Sequence, residues 1–314
     1  MSFTILRPTS HQEWLELRKI GIGSSEVATI IGVNPYETPY QLWRRKTGQD
    51  APIEENFFMR AGHYLEDAVA QFYSDESGRE IIKRSSTDFI IRNNDKTYLQ
   101  VSPDRTYWVD KAGKKNHENK GIVECKTTQM TIDKNDMPKH WFCQLQYQLG
   151  VAELQQGSIA YLSQGRDFGY RDYAFAPDFY AWLIEEVECF WVDCIKGRQE
   201  PSVISVKDVL IKYNQHIDGK ILEVDEDIFN TYNQLKDVRK ELSVIEKQKD
   251  ELEEKIKLAF TDAEAISYNG QTLATWKSPK ASEKFDQKAF AEAHPELVRE
   301  FTKLTNGTRR FLLK

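Results

Sequence analysis

Between about Glu226 and Thr261 the chain carries apolar residues at heptad spacing, with no proline or glycine to break the run. Ile228, Leu235, Leu242 and Ile256 share one heptad position, which Lys249 interrupts; Val238, Ile245, Leu252 and Ala259 share the other. Such a run reads as one long helix with a narrow apolar seam, roughly 50 Å long at ~1.5 Å rise per residue. The seam suits either a helix packed on its own chain or a coiled coil with a partner. After Glu223 the texture of the sequence changes, and a division falls near 205–220. The expected organisation is a domain over residues 1–204 and a C-terminal extension over 205–314.

In the extension, the helix at about 226–261 is followed by alternation from Ala265 to Lys277 around Asn269-Gly270, a hairpin signal. Asp286 then reads as the N-cap of a short helix, Gln287 to Ala293. From Ala265 onward nine Lys/Arg stand against five Asp/Glu, an excess that suits a solvated surface or contact with phosphates. The extension is thus a long helix with a small α/β appendage.

Residues 1–204 read as α+β. Helical spacing covers Ser10 to Lys19, Ser24 to Ile31, Pro39 to Thr47, the longer Phe57 to Gly78, and Ala181 to Lys196. Extended segments are expected at Ile81 to Lys83, Asp88 to Ile91, Leu99 to Val101 and Gly121 to Lys126.

Cys125, Cys143, Cys189 and Cys194 form no C-x-x-C pair and no ladder with histidine, which argues against zinc and against a disulfide framework and fits a reducing cytoplasm. No run of about 18 apolar residues predicts a membrane span, and Met1 to Ser10 lacks the pattern of a secretory signal. The net charge of -6 does not exclude nucleic acid, because a carboxylate-rich site and a local basic groove can coexist on an acidic body.

The central constellation is Ser102-Pro103-Asp104 followed by Glu124-Cys125-Lys126. On a strand, Glu124 and Lys126 point one way with Ile122, while Cys125 and Val123 point the other. An aspartate at the end of the preceding strand can lie beside Glu124. Two carboxylates and a backbone carbonyl make a hard-oxygen set suited to Mg²⁺. A lysine beside the ion can orient or deprotonate an attacking water.

Three further stretches bear on the same chemistry. Glu66, in Ala61-Gly62-His63-Tyr64-Leu65-Glu66, sits in the Phe57 to Gly78 helix and can project toward a metal site. Gln144-Leu145-Gln146-Tyr147-Gln148 spaces amides at every second residue, so on a helix only one or two can face a site. In Trp14-Leu15-Glu16-Leu17-Arg18 and Gly21-Ile22-Gly23-Ser24-Ser25-Glu26, Arg18 can clamp a phosphate. Gly21 and Gly23 allow close backbone approach, and Ser24 and Ser25 open a helix whose free N–H groups attract an anion.

The ordered set Trp-x-x-x-Arg, Gly-x-x-x-Ser-Glu, Gly-x-x-x-Glu, Ser-Pro-Asp, Glu-x-Lys and Gln-x-Gln resembles the YqaJ-type viral recombinase (phage lambda exonuclease) family over roughly residues 10–200. The resemblance implies a restriction-endonuclease-like PD-(D/E)XK core, a central mixed sheet flanked by helices. It implies digestion of linear duplex DNA from 5′ ends, leaving 3′ single-stranded tails for recombination, with Mg²⁺ as cofactor and Mn²⁺ able to substitute. By motif, Asp104 and Glu124 would be metal ligands with the Cys125 carbonyl, and Glu66 would serve the metal directly or through water. Lys126 would position the nucleophilic water and Gln144 would help hold the site. Arg18 and Ser25 would receive the 5′-terminal phosphate, with Ser24 and Gln146 as further DNA contacts. Also implied are a single-strand annealing protein as partner, a ring-shaped homotrimer, and the cytoplasm of a host cell for a phage-encoded member. Cysteine in the middle of Glu124-Cys125-Lys126 contributes only backbone. The extension, which short members lack, looks like the longer phage-type endonuclease branch. Two rival readings remain: an endonuclease using the same site on internal or branched DNA, and a non-catalytic DNA-binding or scaffold protein.

Overall fold

The chain opens with strand β1 (Phe3–Leu6) and four helices: α1 (His11–Lys19), α2 (Ser24–Ile30), α3 (Pro39–Lys46) and α4 (Phe57–Ser77). Side-chain oxygens set three of their starts. Ser10 accepts from the Glu13 N–H, Thr38 from Gln41 and Asn56 from Met59, caps that each contribute about 1 kcal/mol. At α2 the N-cap is Gly23 rather than a serine, and the Glu26 carboxylate reaches back to the Gly23 N–H at 2.9 Å. α4 ends at Gly78 in the left-handed region, φ 68°. These elements belong to a computed structural model that describes residues 2–50, 56–82, 89–303, 307 and 309–313.

There follow β2 (Ile81–Ile82), β3 (Ile90–Asn93), β4 (Gln100–Val101), β5 (Arg105–Trp108), β6 (Lys120–Thr128), α5 (Lys139–Val151), β7 (Gln156–Ser163), β8 (Asp167–Ala174), α6 (Pro177–Cys189) and α7 (Val206–Lys212). α6 starts at Pro177, earlier than the expected Ala181, with proline in the first turn where its missing N–H costs nothing. It continues over Phe190–Lys196 in a wider, π-helical winding. Lys83 and Asp88, the ends of two expected extended segments, lie outside the described residues.

The principal sheet has the order β2-β5-β6-β7-β8. Its pairings are antiparallel except for the central β6–β7 pair, which is parallel. A smaller antiparallel sheet runs β1-β3-β4. One face of the principal sheet carries Tyr107, Val123, Ala160 and Leu162 against Val69 and Tyr73 of α4. The opposite face carries Ile122 and Ile159 against Leu145 and Leu149 of α5. Each of these fully buried leucines contributes roughly 2 kcal/mol by leaving water. The result is α+β, a central mixed sheet flanked by helices, as expected.

The chain divides into two units, Met1–Lys212 and Tyr213–Lys314. The first runs past residue 204 because the buried Asp208 of α7 ties that helix to α3. Asp208 Oδ1 accepts from Thr38 Oγ1 at 2.7 Å and from Gln41 Nε2 at 2.6 Å. The second unit consists of α8 (Glu226–Leu258), the hairpin β9 (Ala265–Tyr268) and β10 (Gln271–Thr275), and helices α9 (Gln287–Ala293) and α10 (Pro295–Phe301). Asp225 caps α8 through the Ile228 N–H, and Asp286 caps α9 through the Ala289 N–H. Asn269 and Gly270 turn the hairpin with φ of 48° and 80°, the conformation that an Asn-Gly turn supplies. Among the described residues no helix is long and apolar enough to cross a membrane.

Candidate active site

The site forms where β5 and β6 run side by side under α5. Register pairs Arg105 with Val123, so Asp104, which leads into β5, lies across from Glu124. Asp104 Oδ2 accepts from the Cys125 N–H at 2.8 Å. The strand alternation holds: Val123 and Cys125 face α4, while Glu124 and Lys126 share the other face.

Glu124 is 1% exposed and surrounded by donors. Its Oε1 accepts from Lys126 Nζ at 2.7 Å and from Gln144 Nε2, and its Oε2 accepts from Gln148 Nε2 at 2.8 Å. Gln144 Oε1 accepts in turn from Lys126 Nζ at 2.9 Å. Lys126, Glu124 and Gln144 therefore close a ring of hydrogen bonds.

Helical geometry decides which glutamines take part. Gln144 and Gln148 are one turn apart on α5 and share a face, whereas Gln146 points away. Gln146 is fully buried; its Nε2 donates to the Ala174 carbonyl at 2.9 Å and its Oε1 accepts from the Ala176 N–H at 2.8 Å. It anchors the β8–α6 junction and does not reach the site, contrary to its expected place among the DNA contacts. Gln148, given no role from sequence, takes part instead. The signal that could have found it is its four-residue spacing from Gln144.

Glu66 reaches the site's edge from α4, where its carboxylate pairs with Arg105, which also pairs with Asp67. Arg105 likewise had no expected role; standing directly after Asp104, it brings a cation among the acids.

The charges do not balance evenly. Burial pushes the Asp104 carboxyl well above the ordinary carboxylate range, and the charges of Glu124 and Glu66 push it further, against the pull of Lys126 and the Cys125 amide. Burial alone would lower Lys126, but Glu124 and Asp104 raise it overall, so it stands as an ammonium. Burial, Asp104 and Glu124 together raise the Cys125 thiol well above its usual value, which keeps it a neutral thiol.

These residues fit a hard divalent cation by donor chemistry. Asp104, Glu124 and the Cys125 carbonyl offer only oxygen, and a cation would relieve the repulsion that Asp104 feels. Gln148 Oε1 is buried beside Glu124 with no hydrogen-bond partner among the described residues, a vacancy that water on a hydrated ion could fill. Among those residues no group of three or more His, Cys, Asp or Glu is arranged to hold a metal.

The Arg18 stretch adjoins this centre through Gln148, whose Nε2 also donates to Ser24 Oγ at 3.2 Å. Ser24 is buried and committed there, whereas Ser25 is exposed. Arg18 stacks on Trp14, 4.5 Å from the ring centroid, and its Nη2 donates to Ser25 Oγ at 3.4 Å. A Cβ at Gly23 would lie 3.1 Å from Arg18 Nη2, so a side chain there would make the guanidinium give by a few tenths of an ångström. Backbone bonds from Ile22 N to the Tyr98 carbonyl at 2.7 Å and from Gln100 N to the Ile22 carbonyl at 3.2 Å pin the segment to the approach of β4. Tyr147 Oη of α5 donates to the Ile22 carbonyl at 3.0 Å.

Glu26 holds the cations behind Arg18. It lies 2.8 Å from Lys46 and 3.1 Å from Arg45. Burial would raise its carboxyl, but Lys46, Arg45 and Arg18 hold it below the ordinary glutamate value. Lys46 is pushed down by its own burial and by the two arginines, against the pull of Glu26.

Residues 13–155 match the family model described as the YqaJ-like viral recombinase domain. A Bacillus subtilis (strain 168) protein, "Uncharacterized protein YqaJ", is 28% identical over 317 residues, covering 97% of this chain and 94% of that protein, so the likeness runs through the second unit as well. Among solved structures, an alkaline exonuclease (LHK-Exo) from Laribacter hongkongensis is similar with a TM-score of 0.47 and 18% identity, covering 60% of this chain and 93% of that one. A phage related exonuclease from Haemophilus somnus 129PT is similar with a TM-score of 0.39 and 12% identity, covering 57% of this chain and 96% of that one.

Proposed function

Starting from the YqaJ-like viral recombinase domain over residues 13–155, we propose that the chain is a metal-dependent deoxyribonuclease, a 5′-to-3′ exonuclease on linear double-stranded DNA that leaves 3′ single-stranded tails. The observation that carries this reading is the buried Glu124 carboxylate, held by Lys126, Gln144 and Gln148 with Asp104 across the strand pair.

The family implies a divalent ion, and Mg²⁺, with Mn²⁺ able to substitute, is the proposed one. Asp104, Glu124 and the Cys125 carbonyl would hold it, with Glu66 at the periphery. Bound there, the ion would lower the pKa of a coordinated water and offset charge on the phosphate oxygens. The protein's own residues do the rest. Lys126, an ammonium fixed between Glu124 and Gln144, donates toward an attacking water or a phosphate oxygen and favours the added negative charge of the transition state. Gln144 and Gln148 fix the Glu124 carboxylate, so that it meets its ligand without reorganising. Arg18 and Ser25 receive the 5′-terminal phosphate, with Arg18 held over the Trp14 ring.

A single-strand annealing protein is the proposed partner for the tails, in the host cytoplasm, and a homo-oligomer would keep the enzyme on its duplex. The test is a time course with Mg²⁺ on linear duplex labelled separately at its 5′ and 3′ ends, beside a closed circle of the same sequence. Early loss of 5′ label with an intact circle is expected. Cut circles would point to an endonuclease using the same residues.

A further inference from the structure

α5 carries one more side chain on the face that grips Glu124. His140 lies one helical turn before Gln144 and two turns before Gln148, and residues four apart share a face. The three positions meet the site in order. Gln148 reaches Glu124 and Ser24, beside the Arg18 stretch. Gln144 reaches Glu124 and Lys126. His140 stands near enough to Lys126 to feel its charge. With about 5.4 Å between turns, this face measures out the site from an Arg18 end to a His140 end.

The surroundings of His140 fix its ring and leave its nitrogens available. The ring meets Tyr36 edge-on, with centroids 6.1 Å apart and planes at 89°, and packs on Trp141 at 5.8 Å and 70°. No hydrogen bond among the described residues uses either ring nitrogen. Burial, and then the Lys126 ammonium, hold the imidazole below its ordinary pKa. At neutral pH it therefore keeps one N–H to donate and sets no second positive charge beside Lys126. The side chain is partly exposed, so a ligand can reach it.

We propose that His140 holds the strand that stays on the enzyme, donating to the phosphodiester one nucleotide 3′ of the scissile one. This rests on the exonuclease reading, in which the 5′-terminal phosphate sits at Arg18 and Ser25 and the scissile phosphate at Asp104, Glu124 and Lys126. A strand that continues in the same direction next meets His140, with Tyr36 bracing the imidazole. A neutral donor suits a phosphodiester that is gripped in one turnover and passed on in the next, because it binds less tightly than another fixed cation would.

The test is anisotropy binding of 5′-phosphorylated linear duplex, with Ca²⁺ in place of Mg²⁺ to hold back cleavage and a neutral methylphosphonate at the first or the second linkage from the 5′ end. His140→Phe keeps a ring against Tyr36 and Trp141 but has no donor. It should weaken binding of the unmodified duplex by about tenfold and lose nothing further when the second linkage is neutral, whereas neutralising the first linkage should add its own loss. His140→Gln, which keeps an N–H donor, should recover part of the affinity. Wild-type affinity in His140→Phe would reduce the residue to packing and overturn the contact. So would independent losses from the variant and the second-linkage methylphosphonate, or coupling to the first linkage instead. Each of these can occur while the wild type still digests linear duplex with Mg²⁺, which keeps the exonuclease reading. A wild type that fails to digest it would overturn that reading, and this contact with it.

Discussion

Gln148 donates to Glu124 Oε2 at 2.8 Å from a position one helical turn beyond Gln144, so a single face of α5 grips both oxygens of the buried carboxylate. Through its second contact, to Ser24, the same amide joins the acidic centre to the start of α2.

Replacing Gln148 with leucine should therefore act on rate more than on folding. Leaving Glu124 Oε2 without its donor costs about 1–3 kcal/mol, and loss of an orienting partner to a ligand typically lowers activity about 10–100-fold. Single-turnover cleavage beside thermal melting measures both. A wild-type rate in Gln148→Leu would remove Gln148 from the site.

Glu124→Ala should weaken divalent-ion binding as well as cleavage, because it removes one of the two carboxylates facing each other across β5 and β6. Titration calorimetry with Mg²⁺ reads this directly. Unchanged affinity would take Glu124 off the ligand set.

Arg18→Ala should slow digestion of 5′-phosphorylated ends more than of 5′-hydroxyl ends, by about tenfold or more for a lost charge-assisted contact. Equal losses on the two substrates would refute a phosphate role for Arg18.

Glu26→Gln tests the charge cluster behind Arg18. At neutral pH it leaves Lys46 and Arg45 without their shared anion, and breaking a buried pair costs about 3–5 kcal/mol. Because Glu26 titrates below its ordinary value, its contribution is complete above that value and is lost as pH falls through the lowered one. The stability gap between wild type and variant in urea unfolding should thus be wide at pH 7 and narrow in acid. A gap independent of pH would contradict the ion pairing.

How much of this was legible in the sequence depended on the period of each element. Glu124, Cys125 and Lys126 could be assigned to faces because β6 alternates, and the Asn269-Gly270 turn and the Asp286 cap are local signals. Gln146 was misplaced because on a helix a shift of two residues carries a side chain to the far side. β7 escaped notice because it is buried along nearly its whole length, so it shows no alternation. The first unit's end could not be read locally either, since it depends on Asp208 meeting Thr38 and Gln41 far away in the chain.

The most direct measurement on the central claim is DNA cleavage by Lys126→Ala with Mg²⁺, alongside its affinity for the same duplex. Lys126 touches Glu124 and Gln144, so the variant should lose cleavage by several orders of magnitude while still binding DNA. Cleavage at the wild-type rate would contradict the assignment of the site to Asp104, Glu124 and Lys126.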